Sequence, residues 1–156
     1  MKEKTITSVI HECAIEELTV DERELIHSAI NATANSYAPY SGFCVGAAVR
    51  LANGEIFIGC NQENAAFGVC ICGERTALFA AGARYPNVPV TDIAIAARNS
   101  HGLTPTPVTP CGSCRQAMIE TETRFHCCIN ILLYGNASIY KINGISNLMP
   151  LSFESF

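Results

Sequence analysis

The sequence predicts an α/β domain in which helices pack on a mixed five-stranded sheet. Three observations lead there. The chain has 156 residues, 49% of them apolar and 15% charged, which suits one domain around one substantial core. Helix-like and strand-like stretches follow in the order helix, strand, strand, helix, strand, helix, strand, strand. Only Gly135-Asn136-Ala137-Ser138 separates the last two strands. That is too short for a parallel crossover, so this pair is expected to be antiparallel.

The elements are justified in order. Residues 1–18 read as a loosely tied N-terminal extension, and residues 19–156 as the domain. Thr19 and Glu22 stand at capping-box spacing and start a helix reaching to about Ser36. Leu25, Ile26, Ala29, Ile30 and Thr33 share one face of it. Pro39-Tyr40-Ser41-Gly42 is a loop. Asn53-Gly54 joins the apolar runs Val45–Leu51 and Glu55–Gly59, a strong hairpin signal. A second helix runs from near Ile71 to about Arg84, and Ile93–Ala97 is a buried strand. Asn99–Pro110 is a loop, and a third helix runs from near Cys111 to about Thr123. Ile129–Tyr134 and Ile139–Ile142 are the last strands, and the tail Leu148–Phe156 adds a short turn.

Composition narrows the function. The net charge is -4 and no Lys/Arg-rich block occurs, so the basic footprint of a nucleic-acid binder is missing. A small substrate is expected instead. No apolar run has the length of a membrane span. The opening MKEKTITSVIHECAIEE carries charges throughout and lacks the apolar core of a secretory signal. Nine cysteines, an odd count, oppose a disulfide framework. The expected compartment is the cytoplasm, with most thiols reduced and buried as small apolar residues.

Two segments carry chemistry: Cys72-Gly73-Glu74-Arg75 and Pro110-Cys111-Gly112-Ser113-Cys114. Each sets cysteine at a predicted helix N-terminus, where the helix dipole favours the thiolate that binds metal. Cys111 and Cys114 have the spacing that turns two thiolates towards one ion. A structural zinc site takes four protein ligands, whereas a catalytic one takes three and leaves a place for water. Cys72, Cys111 and Cys114 supply three. Glu74 lies near enough to act on that water as general acid and base. Three thiolates make bound water harder to ionise, and Arg75 beside Cys72 offsets their charge. Other readings remain open at this point. Cys-x-x-Cys alone also serves redox sites and half-fingers. Cys70 is a rival ligand to Cys72, although only Cys72 has glutamate at the right offset. A fourth ligand would close the site into a structural one.

Cys-x-Glu followed by Pro-Cys-x-x-Cys is the signature of zinc deaminases. Beyond residue 19 the chain resembles the homotetrameric cytidine deaminases over nearly its whole length. Four blocks carry the resemblance: Tyr37–Phe43 with Val45–Ala48; Gly59–Ala65; Cys72–Ala77; and Pro110–Gln116. It implies the three-layer α/β/α fold of that family and one zinc ion per subunit, held by Cys72, Cys111 and Cys114. It implies hydrolytic deamination of cytidine or deoxycytidine in pyrimidine salvage, with Glu74 shuttling protons. It implies that Asn61 and Glu63 bind the ribose 3′-hydroxyl, that Phe43 packs on the pyrimidine and that Phe67 lines the substrate site. The tail Leu148–Phe153 is similar to the family's ending, which would place Phe153 in a neighbouring subunit's site. The alternative for Phe153 is burial at a subunit interface.

The chain departs from that pattern in places. Gly73 stands where alanine is usual, a loss of a methyl that would loosen the helix start. Gly68, Cys70, Gln62 and Phe67 are also atypical, and the Asn99–Thr109 loop is longer. None of these removes a ligand or Glu74. Rival functions are deamination of another aminated heterocycle, polynucleotide editing, or a non-catalytic zinc module. The net charge and the short Gly135–Ser138 connection oppose editing.

Overall fold

The computed structural model describes residues 1–154; Ser155 and Phe156, the end of the expected tail segment, lie outside the described residues. Among these, seven strands form one sheet: β1 (His11–Cys13), β2 (Cys44–Leu51), β3 (Ile56–Cys60), β4 (Val90–Asn99), β5 (Gly102–Leu103), β6 (Asn130–Tyr134) and β7 (Ile139–Asn143). The order is β1-β7-β6-β4-β2-β3, with β5 paired to β4. The helices are α1 (Val20–Ala32), α2 (Gly73–Arg84) and α3 (Gly112–Phe125).

The five expected strands are all present, and β6 and β7 are antiparallel from Asn130↔Asn143 to Tyr134↔Ile139. The sheet is mixed because β4 and β6 run parallel, Asp92↔Asn130 to Ile95↔Leu133. The expected count of five is corrected to seven. One addition comes from the N-terminal extension, where His11–Cys13 pairs with Ile139–Lys141 and covers the outer edge of β7. The other is the two-residue β5, folded back on Arg98 and Asn99 inside the expected loop. Both are too short to show periodicity, and each is fixed by an edge that only the folded sheet supplies.

Alternation along the strands builds two cores. Ala47, Val49, Leu51, Ile93, Ile95, Ile131 and Leu133 face α2 and α3, meeting Ala77, Leu78, Ala81, Met118 and Ile119. Ala48, Ala94, Ala96 and Leu132 face the other way, against Leu25, Ile26 and Ala29 of α1. The result is the expected three-layer α/β/α arrangement. Alanines dominate the α1 side of β2 and β4, which lets that helix sit close.

Local causes are visible at the helix starts. The Thr19 hydroxyl accepts from Glu22 N at 3.2 Å, and Glu22 Oε2 accepts from Thr19 N at 3.0 Å, a complete capping box. Helix α1 ends at Ala32 and continues as a 3-10 turn over Thr33–Asn35, close to the expected end at Ser36. Helices α2 and α3 begin directly after Cys72 and Cys111, which hold extended backbone at the N-cap.

Candidate active site

Both helix starts open at one place on the same side of the sheet. Cys72 precedes α2, Cys111 precedes α3, and Cys114 lies in the first turn of α3. Their sulfurs lie within 4.8 Å of one another. Cys72 Sγ to Cys111 Sγ is 3.7 Å and Cys111 Sγ to Cys114 Sγ is 3.5 Å. Four ligands at ~2.3 Å around a tetrahedral zinc stand ~3.8 Å apart, so this three-sulfur set fits zinc. It is the only such group among the described residues, and no fourth protein ligand joins it. The closed structural reading therefore loses its support.

Cys70 is not part of the group. Its sulfur accepts from Asn64 N at 3.2 Å and closes the Asn64–Cys70 loop. Among the three cysteines the electrostatics are uneven. Cys72 is pushed down to about 5, chiefly by a hydrogen bond from Cys114; burial opposes this, and Arg75 assists it. Cys114 is pushed up, as the donor to that thiolate and as a buried group. Arg75 Nη2 donates to Cys72 Sγ at 3.9 Å.

Glu74 is 4% exposed, in the first turn of α2. Burial pushes its carboxyl up; a hydrogen bond from its own backbone N–H opposes this, and the Cys72 thiolate reinforces the rise. Its Oε2 has no hydrogen-bond partner among the described residues. An orphan carboxylate oxygen beside a metal group is what a proton shuttle needs, because its partner arrives with the substrate.

The helix start is pressed against the sheet. A side-chain carbon on Gly73 would fall 2.9 Å from Val45 O and 3.2 Å from Cys60 Cα. Glycine there brings α2 onto the ends of β2 and β3.

Beside Cys72 opens a cleft of about 460 Å³, lined by Tyr40, Ser41, Asn61, Glu63, Phe67 and Cys72 among others. Asn61 follows β3 and ties down the segment entering β2. Its Oδ1 accepts from Val45 N at 2.8 Å, and its Nδ2 donates to Phe43 O at 2.9 Å. Glu63 Oε2 accepts from Tyr40 N at 2.9 Å, and its Oε1 accepts from the Ser41 hydroxyl. These donors hold its carboxyl below the usual range, Ser41 foremost. Phe67 stands 71% exposed on the cleft wall, edge-on to Tyr40 at 5.7 Å. Phe43 is half-buried and outside the lining. Phe153 lies elsewhere, in a groove with Met149 and Leu151, and its carbonyl accepts from Gln116 Nε2 at 2.8 Å.

Sequence reasoning missed Tyr40, Ser41 and Arg115. Arg115 Nε donates to Pro110 O at 2.8 Å and Nη1 to Leu148 O at 2.6 Å, fixing both the Cys111 approach and the tail. Its position right after Cys114 was the available signal.

Similar proteins agree with this geometry. Residues 19–129 match a family model described as the cytidine and deoxycytidylate deaminase zinc-binding region. A cytidine deaminase of Halalkalibacterium halodurans is 45% identical over 139 residues, covering 87% of this chain and 96% of that one. A cytidine deaminase of Sporosarcina psychrophila is 40% identical over 104 residues, covering 65% and 70%. The crystal structure of a cytidine deaminase from Burkholderia pseudomallei superposes with a TM-score of 0.72 at 37% identity, covering 87% of this chain and all of that one. The fold and the three-sulfur centre define a zinc-dependent deaminase. The chain belongs to the cytidine and deoxycytidylate deaminase family.

Proposed function

We propose that this enzyme hydrolyses the exocyclic amine of cytidine and deoxycytidine, giving the uracil nucleoside and ammonia. The observation that carries the reading is Glu74, buried with a partnerless Oε2 in the helix turn that starts at the ligand Cys72. Cys72, Cys111 and Cys114 would hold one zinc ion per subunit, which would supply a Lewis acid able to lower the pKa of a water towards neutrality. Glu74 takes a proton from the attacking water and delivers it to N3 of the ring, while the water oxygen bonds to C4. Glu74 then carries the remaining proton to the amine, and the C4–N bond breaks with release of ammonia. Arg75 holds Cys72 in place and tempers the charge of three thiolates.

The sugar and base contacts are part of the same reading. Asn61 and Glu63 bind the ribose 3′-hydroxyl; each keeps unused hydrogen-bonding capacity after its contacts within the chain. Phe43 packs on the pyrimidine, and Phe67 walls the cleft. Residues 19–156 form the catalytic unit, with 1–18 as an extension. The chain assembles as a homotetramer in which Phe153 reaches a neighbour's site; its 59% exposure in a single chain supports this. A net charge of -4 without a basic run supports a free nucleoside over a polynucleotide. No helix among the described residues is long and apolar enough to cross a membrane. A role in cytoplasmic pyrimidine salvage follows from the substrate.

The test is the ultraviolet change on mixing the protein with cytidine and with deoxycytidine, with zinc measured per chain. Conversion of either nucleoside with one zinc per subunit supports the reading. Full zinc without conversion of either overturns it.

A further inference from the structure

Glu63 is half-buried in the cleft lining, and a glutamate there has many rotamers to lose on binding. Here it is held by three donors. Tyr40 N and Ser41 N reach Oε2 at 2.9 and 3.3 Å, and the Ser41 hydroxyl alone holds Oε1. The same hydroxyl accepts from Phe43 N at 3.0 Å. Its one proton is therefore committed to Glu63, and the Phe43 amide on its other side orients the oxygen. The two backbone donors fix one carboxylate oxygen but leave the group free to swing about it. Only Ser41 fixes the second oxygen.

We infer that Ser41 is a positioning residue for substrate recognition: its hydroxyl aims the Glu63 carboxylate at the sugar 3′-hydroxyl. The inference rests on the proposed sugar contact of Glu63. Ser41 does not touch the reacting atoms. It lines the cleft on the side of Glu63, while Glu74 and Cys114 lie outside the lining. Its loss should weaken binding in the ground and transition states alike, which raises KM and leaves kcat nearly unchanged. A hydrogen bond to a charged group of this kind corresponds to roughly a tenfold change.

The experiment measures kcat and KM for the zinc-loaded enzyme with cytidine and 3′-deoxycytidine, in the wild type, Ser41→Ala, Ser41→Thr and Glu63→Ala, and in the double variant of Ser41→Ala with Glu63→Ala. Zinc content and Tm accompany each protein. The wild type is expected to show a higher KM for 3′-deoxycytidine. Ser41→Ala should raise KM for cytidine about tenfold, with a much smaller rise for 3′-deoxycytidine. Ser41→Thr should restore the cytidine value, and Ser41→Ala should add nothing in the Glu63→Ala background. Equal KM rises for both nucleosides, or full additivity with Glu63→Ala, would overturn the role of Ser41 and leave the sugar contact standing. A wild type that treats the two nucleosides alike would overturn the sugar contact itself, and this inference with it.

Discussion

Gly59 of β3 lies directly under Ala77 of α2: a side-chain carbon on the glycine would stand 2.4 Å from the Ala77 backbone nitrogen. Gly73 O would be 2.5 Å away. The helix that carries Cys72 and Glu74 at its start thus rests on bare backbone. Gly59→Ala must push that helix outward, because neither neighbour is a side chain that can turn aside. A loss of about 1–3 kcal/mol is expected from such overpacking, together with weaker zinc retention. Denaturant titration and metal analysis check both. Gly82→Ala is the control, in the same helix but with nothing within 4 Å. It should raise stability by about 0.5–1 kcal/mol.

Glu74→Gln separates proton transfer from metal binding. The amide fills the same space and leaves Cys72, Cys111 and Cys114 untouched. Zinc content should stay at one per chain while kcat falls by at least roughly a hundredfold. Retained turnover would remove Glu74 from the chemistry.

Cys114→Ser tests the ligand set from the other side. Cys114 is fully buried, so a serine there can neither bind zinc well nor reach water. The variant should lose zinc and nearly all activity. Chelation of the wild-type ion should lower Tm, and added zinc should restore it, because a ligand of the folded state stabilises by mass action. A Tm unmoved by chelation would mean that the ion bears no structural load.

Asn61→Ala removes both clamps on the segment entering β2, leaving Val45 N and Phe43 O without their partner. Stability should fall by about 1–3 kcal/mol. KM should rise as well, because the displaced segment includes Phe43. Thermal melts and steady-state kinetics on one preparation read the two effects.

Glu22 gives the fold an acid-sensitive tie. Its carboxyl is buried, which alone would push it up. Lys141 Nζ at 2.6 Å, Thr19 N at 3.0 Å and Asn130 Nδ2 at 2.9 Å outweigh this and hold it below its usual value. A carboxyl lower in the folded than in the unfolded chain adds stability above its unfolded pKa, about 4.3, and that contribution disappears as pH falls through the folded value. Glu22→Gln should therefore be less stable than wild type at pH 7, and the gap should narrow below about pH 4. Denaturation midpoints at both pH values check this.

Much of this molecule was legible in its residues. The Thr19 and Glu22 box, the Asn53-Gly54 hairpin and the short Gly135–Ser138 link are local signals, and the chain folds as they direct. The three-sulfur group was legible because helix starts and Cys-x-x-Cys spacing are local too. What escaped depends on distant partners. Strand β1 exists because β7 offers an open edge. Gly73 looked like a weak helix start, since nothing in its neighbourhood announces Val45 O pressed against it. Ser41 lies in the Tyr37–Phe43 block, but that block does not announce its partner: Glu63, 22 residues on, folds back to it.

With an ion bound, the three-sulfur centre would also work as a removable staple. Cys72 and Cys111 are 39 residues apart in the chain, and a single ion held there would join them. The span between them, with all of α2, β4 and β5, would become a closed ring on metal binding. The entropy of closing a ring grows only with the logarithm of its length, by about 0.6 kcal/mol for each doubling. Extra residues in the Asn99–Thr109 turn therefore cost the ring little. The two rims of the reaction centre stay in register while the ribbon between them is free to lengthen, and that leaves one stretch of this enzyme where new surface can be added without retuning the catalyst.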